Sequence, residues 1–202
     1  KLKEGDTVYL DGKNIELKLT EKKDYLCLFE FSESVLSVLD NFGEVPLPPY
    51  IKRPAVPVDE ERYQTVYADP GKLNSVAAPT AGLHFNHSHI EQLKSKGIQF
   101  AEITLNIGLG TFKPIKVQRV EDHVIHQEKI SVDLDTVKTI LKAKNEGRRV
   151  IAIGTTVLRC LESVATDFSA LEPYEGETSL YIYPGYQFKI VDALLTNFHL
   201  PK

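Results

Sequence analysis

Three titratable groups crowd into six residues at His123-Val124-Ile125-His126-Gln127-Glu128. Histidine titrates near neutrality, so it can give or take a proton at ordinary pH. A carboxylate beside it fixes its tautomer and supports its cation. In an extended chain, residues of equal parity share a face, which sets His126 with Glu128 and turns His123 away. The same group could ligate zinc, but such a site needs three or four ligands, and Cys27 and Cys160 lie far apart in sequence. A further histidine, His84, sits near the end of Ala77-Ala78-Pro79-Thr80-Ala81-Gly82-Leu83-His84-Phe85. Small residues there let a ligand approach backbone closely, so Thr80 and Gly82 are binding candidates. Gly108-Leu109-Gly110-Thr111-Phe112 follows a strand-like run but lacks the helix of a dinucleotide fingerprint. Gly108, Gly110, Thr111 and Phe112 stand as substrate-contact candidates. Thr196-Asn197-Phe198-His199-Leu200-Pro201 sets polar side chains between apolar ones, and a lone histidine such as His199 reads either as a hydrogen-bonded structural residue or as a catalyst. His87 and His89, beside a helix start, read as solvent-exposed.

Three further groups carry charge or bind it. Gly154-Thr155-Thr156 lies between an apolar run, Val150–Ile153, and a helical pattern with Val157, Leu158 and Leu161. The first N–H groups of a helix lack internal partners and carry partial positive charge. Thr155 and Thr156 are therefore either anion-binding groups or simple caps, which threonine commonly provides. Lys113, Lys116 and Arg119 are spaced by three in a Pro-containing stretch, as a phosphate-contacting patch or a solvated edge. Lys138, Lys142 and Lys144 read as the wet face of their helix.

These residues must be held by elements. Residues 1–31 read as short strands: Thr7–Leu10, Ile15–Leu19 with period two, a turn over Thr20–Asp24, and Tyr25–Phe31. About three strands cannot close a barrel, so the segment reads as part of a small antiparallel β-barrel domain whose start is missing. A helix from Ser32 follows, with Val35, Leu36, Val38, Leu39 and Phe42 on its apolar face and Gly43 at its end. The proline run Pro46-Leu47-Pro48-Pro49-Tyr50 marks a domain boundary, giving units 1–45 and 46–202. The second unit alternates strands and helices. A helix capped at Asn86 or Ser88 stops at Gly97, and Ile98–Leu105 reads as a strand. Asp133 or Asp135 caps a helix carrying Val137, Ile140 and Leu141. Val150–Ile153 reads as a strand buried on both faces. Leu180–Tyr183 and Tyr186–Ile190 flank Pro184-Gly185 as a hairpin. This alternation predicts a mixed-sheet α/β domain.

Composition bounds the function. The chain has 202 residues, 42% hydrophobic and 26% charged, which excludes collagen, wholesale disorder and a membrane bundle. The net charge of −4 belongs to residues 1–60, with 8 basic and 12 acidic side chains. A nucleic-acid partner would therefore need a local patch. Two cysteines fit a reducing, cytoplasmic setting. Methionine is absent even at residue 1, so the sequence reads as a fragment.

In this order, the motifs resemble the S-adenosylmethionine:tRNA ribosyltransferase-isomerases, the QueA family of queuosine biosynthesis. The resemblance runs through Pro46–Ile51, Arg62-Tyr63-Gln64-Thr65-Val66-Tyr67, Ala77–Phe85, Gly108–Phe112, His123–Glu128, Gly154-Thr155-Thr156, Ile182–Gly185 and Val191–Pro201. Two departures stand out: Asn106 where the family usually has histidine, and Ile125 where it usually has methionine. The resemblance implies transfer and isomerisation of the ribosyl part of S-adenosylmethionine onto preQ1 at a tRNA wobble position. The product is epoxyqueuosine, and adenine and methionine leave. It implies no metal or redox cofactor, since S-adenosylmethionine is consumed as substrate. The expected partners are tRNA and S-adenosylmethionine, with no membrane, in a cytoplasmic monomer. The sulfonium acidifies the adjacent ribose carbon, which calls for a base, and departing adenine needs a proton donor. His126 with Glu128, then His84 and His123, are the acid/base candidates; Thr111, Asn197 and His199 are positioning candidates.

If Lys113, Lys116 and Arg119 contact tRNA phosphates, replacing each lowers the magnitude of the slope of log K against log salt by about 0.7–0.9. An unchanged slope in the triple variant assigns them to the solvated edge.

Overall fold

A computed structural model describes residues 1–23, 26–48, 51–72, 75, 77–108, 119, 125, 127–165 and 167–197. The chain divides into two compact units, Lys1–Val45 and Pro46–Lys202. No helix among the described residues is long and apolar enough to cross a membrane.

In the first unit, β1 (Thr7–Tyr9), β2 (Glu16–Lys23) and β3 (Leu26–Phe31) form an antiparallel sheet in the order β1-β2-β3. The expected turn over Thr20–Asp24 is corrected, because β2 continues to Lys23. A bulge between Leu19 and Glu21 absorbs Thr20, and pairing resumes at Glu21 with Leu28. An extra residue taken up this way bends a strand without ending it. The sheet is open, and no closed barrel is present among the described residues. Helix α1 (Val35–Phe42) lies between Ser34 and Gly43. Of its apolar residues only Val38 is buried; Val35, Leu36, Leu39 and Phe42 are exposed.

The second unit has mixed α/β architecture. After the proline run, Asp59 of α2 (Val58–Arg62) accepts both Nη donors of Arg53, at 2.6 and 2.7 Å. These bonds, with that from the Val56 N–H, hold the Asp59 carboxyl down at about 2. A 3-10 turn at Thr80–His84 leads into α3 (His87–Ser95), capped by Asn86 accepting from the His89 N–H. An antiparallel sheet follows in the order β4 (Thr104–Asn106), β5 (Glu128–Val132), β7 (Tyr174–Thr178). The strand expected over Ile98–Leu105 is confined to β4. Thr104 pairs with Ser131, so residues before Ile103 would face Asp133, which already caps α4 (Leu134–Asn145). There the backbone is claimed differently, with Thr136 Oγ1 donating to the Glu102 carbonyl.

A second, parallel pair joins β6 (Ile151–Ile153) to β8 (Ala193–Leu195). Ile151 is 51% exposed, which corrects the reading of this strand as buried on both faces. Its only strand partner among the described residues is β8. Helix α5 (Thr155–Ser163) follows β6 directly. The core gathers Ile130 and Val132 of β5, Val137 and Ile140 of α4, Ala152 of β6, Leu158 and Leu161 of α5, and Ile190.

The hairpin expected around Pro184-Gly185 is half right. Gly185 has φ +100°, and the Tyr186 N–H donates to the Tyr183 carbonyl at 3.1 Å, as a type II turn requires. Among the described residues, no ladder forms on either side. The backbone donors are taken by a carboxylate instead. Glu162 of α5, 1% exposed, accepts the N–H groups of Lys189 (2.8 Å), Ile190 (3.0 Å) and Val191 (2.9 Å). Asp192 then binds the Val150 N–H at 2.7 Å and Lys144 Nζ at 2.8 Å. Burial opposes ionisation of Asp192, but these two partners outweigh it and hold its carboxyl below the usual range. Lys144 is thereby a tether to β8 rather than part of a wet face, while Lys138 and Lys142 are exposed.

Glu162→Gln sets an amide N–H against a backbone N–H in a buried site. It is expected to cost about 1–3 kcal/mol, the penalty of an unsatisfied buried donor. Thermal unfolding measures this; an unchanged midpoint means that residues 189–191 are held by other contacts.

Candidate active site

Both strands of the parallel pair end at the same edge, Ile153 opposite Leu195. The Gly154 N–H donates to the Leu195 carbonyl at 2.8 Å, continuing the pairing one residue past β6. Gly154 has φ +101°, a conformation that strains any residue with a side chain. That turn throws the chain into α5 at Thr155. A Cβ on Gly154 would stand 3.7 Å from Ala81 Cβ, so the 3-10 turn lies against the start of α5. From that turn His84 reaches Asn197, two residues past β8, with its Nε2 on Asn197 Oδ1. Segments from three distant parts of the sequence thus meet at the carboxyl edge of a parallel pair. That edge is where open α/β sheets bind ligands.

His84 is exposed, and Thr80, Thr156 and Asn197 are half-buried. Thr155 is exposed, and Gly154 holds the N-cap position of α5 without any side-chain cap. Neither threonine therefore caps this helix. The absence of a side chain at Gly82 has a packing cause: a Cβ there would lie 2.0 Å from the Tyr67 hydroxyl and 2.8 Å from Thr65 Cγ2. Burial pushes the Tyr67 phenol up, and Glu102 adds to the shift. Gly108 differs, since a Cβ there would meet nothing within 4 Å. Ser75 holds the segment before it, accepting from the Ile107 N–H at 3.0 Å and donating to the Leu105 carbonyl at 2.9 Å.

Glu128 opens β5 on the same face as Ile130 and Val132, and all three are buried. Its Oε2 accepts from Arg159 Nη1 of α5 at 2.8 Å. Arg159 Nε also donates to the Leu180 carbonyl at 2.8 Å, while its buried Nη2 has no hydrogen-bond partner among the described residues. Next to this pair, burial pushes the Cys160 thiol up to about 12, and Glu128 adds to the shift. Arg159 escaped the reading of the sequence, although a signal existed. A carboxylate in phase with Ile130 and Val132 faces the core, where an ionised group needs a charged or hydrogen-bonding partner. Glu162 escaped for the same reason, being an acid on the inner face of an amphipathic helix.

His123, His126, Gly110, Thr111, Phe112, Lys113, Lys116 and His199 lie outside the described residues. Arg119, His87 and His89 are exposed. Among the described residues, no three His, Cys, Asp or Glu side chains gather as a metal ion would need.

The sequence matches the family of queuosine biosynthesis proteins over residues 1–202. It is also similar to proteins named S-adenosylmethionine:tRNA ribosyltransferase-isomerase from Legionella pneumophila strains Paris, Corby and Lens. Each is 48% identical over 202 residues, covering 100% of this chain and 58% of the relative. The chain thus spans somewhat more than half the length of these relatives, and a motif order that resembles one family from Pro46 onward is matched by that family over residues 1–202: the chain belongs to the queuosine biosynthesis protein family.

Proposed function

We propose that this chain carries the α/β part of a tRNA-modifying enzyme. That enzyme transfers the ribosyl moiety of S-adenosylmethionine to preQ1 at the tRNA wobble position and isomerises it, giving epoxyqueuosine and releasing adenine and methionine. Membership of the queuosine family supports the reaction class. The observation that carries the reading to residues is the His84–Asn197 contact beside the Gly154 turn. It brings a proton-transferring side chain to a ligand-binding edge, next to helix N–H groups suited to an anion.

The residues divide the work as follows. A base removes a proton from the ribose carbon acidified by the sulfonium, and an acid protonates adenine as it departs. His84 and His126 take these roles, with His123 as the remaining candidate. Glu128, already bonded to Arg159, is a fixed negative charge that supports an imidazolium near it. Thr155, Thr156 and the first N–H groups of α5 hold the methionine carboxylate of S-adenosylmethionine or a tRNA phosphate. Thr80, Asn197, His199 and the Gly108–Phe112 segment position the sugar and base. Lys113, Lys116 and Arg119 meet the tRNA backbone. S-adenosylmethionine is consumed, so no resident cofactor is required.

Incubation of the protein with S-adenosylmethionine and preQ1-bearing tRNA tests the reaction directly. Adenine release is expected; tight tRNA binding without adenine identifies a binder that has lost catalysis, the reading that Asn106 favours. In the same assay His126→Ala is expected to lose about 100- to 10,000-fold, the usual range for a proton-transfer group. Release within threefold of the unaltered protein removes His126 from the mechanism.

The anion site separates by a pair of substitutions. At least one of Thr155→Val and Thr156→Val is expected to raise KM for S-adenosylmethionine tenfold or more, about 1.4 kcal/mol. The matching serine variant, which keeps the hydroxyl, is expected to leave KM unchanged. Normal KM in both valine variants places the carboxylate elsewhere.

A further inference from the structure

The contact between His84 and Asn197 fixes more than a position. Asn197 presents Oδ1 to the imidazole, and an amide oxygen can only accept a hydrogen bond. The bond therefore requires the proton on Nε2. A neutral imidazole carries a single N–H, so its lone pair must then be at Nδ1. Both partners are held by backbone. His84 ends a 3-10 turn closed by the Phe85 N–H on the Gly82 carbonyl at 3.1 Å, and Gly82 is wedged against Tyr67 and Thr65. Asn197 follows β8, whose preceding residues are tied to Glu162 and whose last residue accepts from Gly154. A partner anchored this way holds the ring in one orientation as well as in one tautomer.

We propose that Asn197 is a positioning residue that locks His84 in the Nε2–H tautomer and leaves Nδ1 as the atom through which His84 moves its proton, which rests on the acid/base role given to His84 above. When His84 acts as base, the Nδ1 lone pair takes the proton and the ring becomes imidazolium, still donating from Nε2 to Asn197. When His84 acts instead as acid, the imidazolium gives its Nδ1 proton to the departing adenine and returns to the same neutral tautomer. The bond to Asn197 persists through both steps. Asn197 is uncharged, so it orients the ring without adding the electrostatic attraction by which a carboxylate stabilises the cation. A neutral partner suits a group that must release the proton it has taken.

Long-range 1H–15N correlation spectra of the histidine-labelled protein near pH 8, above the usual histidine range, read the tautomer directly. The His84→Gln spectrum identifies the His84 signals among the six histidines. The Nε2–H tautomer is expected in the unaltered protein, and a mixture of tautomers in Asn197→Ala. Asn197→Asp also accepts at the same place, so it is expected to keep Nε2–H. In the adenine-release assay, Asn197→Ala is expected to lower kcat at least tenfold with KM for S-adenosylmethionine within threefold, and Asn197→Asp to recover part of that loss. An Nδ1–H tautomer in the unaltered protein overturns the proposal, as does an Asn197→Ala protein whose His84 tautomer is unchanged. A protein that releases no adenine yet holds His84 as Nε2–H contradicts the proposed reaction and leaves the tautomer lock standing. Unchanged kcat in Asn197→Ala, with His84→Gln inactive, shows that catalysis does not depend on the lock. Loss of activity in neither variant removes His84 from the reaction altogether.

Discussion

The carboxylate of Glu162 is the constraint on which the second unit turns. It is almost wholly withdrawn from water and accepts three successive backbone N–H groups, those of Lys189, Ile190 and Val191. An ionised group buried in this way is tolerable only when its lone pairs are filled, and peptide N–H groups fill them without bringing a second charge to desolvate. The geometric consequence reaches well beyond the bond. Glu162 belongs to α5, so the helix that begins at Gly154 is fixed to the segment that becomes β8. Asp192 adds the next link through the Val150 N–H and Lys144. Between them these two acids set the register of β8 on β6, and hence the place where the chain emerges at Asn197.

The edge that carries His84 and Asn197 is consequently assembled from contacts between residues far apart in the chain. His84 and Asn197 are separated by 113 positions. Neither the 3-10 turn nor the two short parallel strands would be stable alone, since such elements gain their stability from tertiary packing. Gly82 shows how tightly the turn is seated: the volume a side chain would need is already filled by Tyr67. A substitution there would displace His84 through the backbone. Gly82 therefore matters as a packing residue, and Gly154, with its positive φ, as a conformational one.

What the sequence disclosed follows from which interactions are local. The caps Asn86 and Asp133, the glycine stop at Gly97, and the Pro184-Gly185 turn are short-range devices, and all are present. Two of the candidate residues, His84 and Asn197, prove to be bonded, although only their membership of a common motif series linked them. The misjudged elements are those whose fate lay with distant partners. The stretch from Ile98 up to Ile103 has strand composition, but its residues before Ile103 run past the end of β5, and Tyr186–Ile190 has strand composition but yields the N–H groups of Lys189 and Ile190 to Glu162. β7 was missed because Tyr174–Thr178 contains Gly176 and two glutamates, a pattern that pairing with β5 tolerates at the sheet edge. Buried Arg159 and Glu162 were missed because a charged residue in a helix is read as solvated until its partner is known.

Helix α5 joins these observations into one device. Its side chains look backward and its first N–H groups look forward. Arg159 reaches Glu128 at the start of β5, and Glu162 reaches the segment before β8, so two of the flanking strands are referenced to one rigid helix. Buried ionic contacts of this kind add little net stability, because desolvation offsets most of their attraction, but they discriminate strongly between one packing and its alternatives. A shift of α5 by a single residue would strand Arg159, Glu128 and Glu162 together. The cost of such a slip is several buried charges left unpaired, far more than a slip between apolar faces would incur. Gly154, at the head of that helix, inherits this discrimination: its N–H bonds the Leu195 carbonyl and a Cβ on it would stand 3.7 Å from Ala81 Cβ, so the turn is held by both neighbours while Thr155 meets solvent. The positive end of the helix is thus presented to the edge that His84 and Asn197 occupy, with its direction set by Arg159 and Glu162.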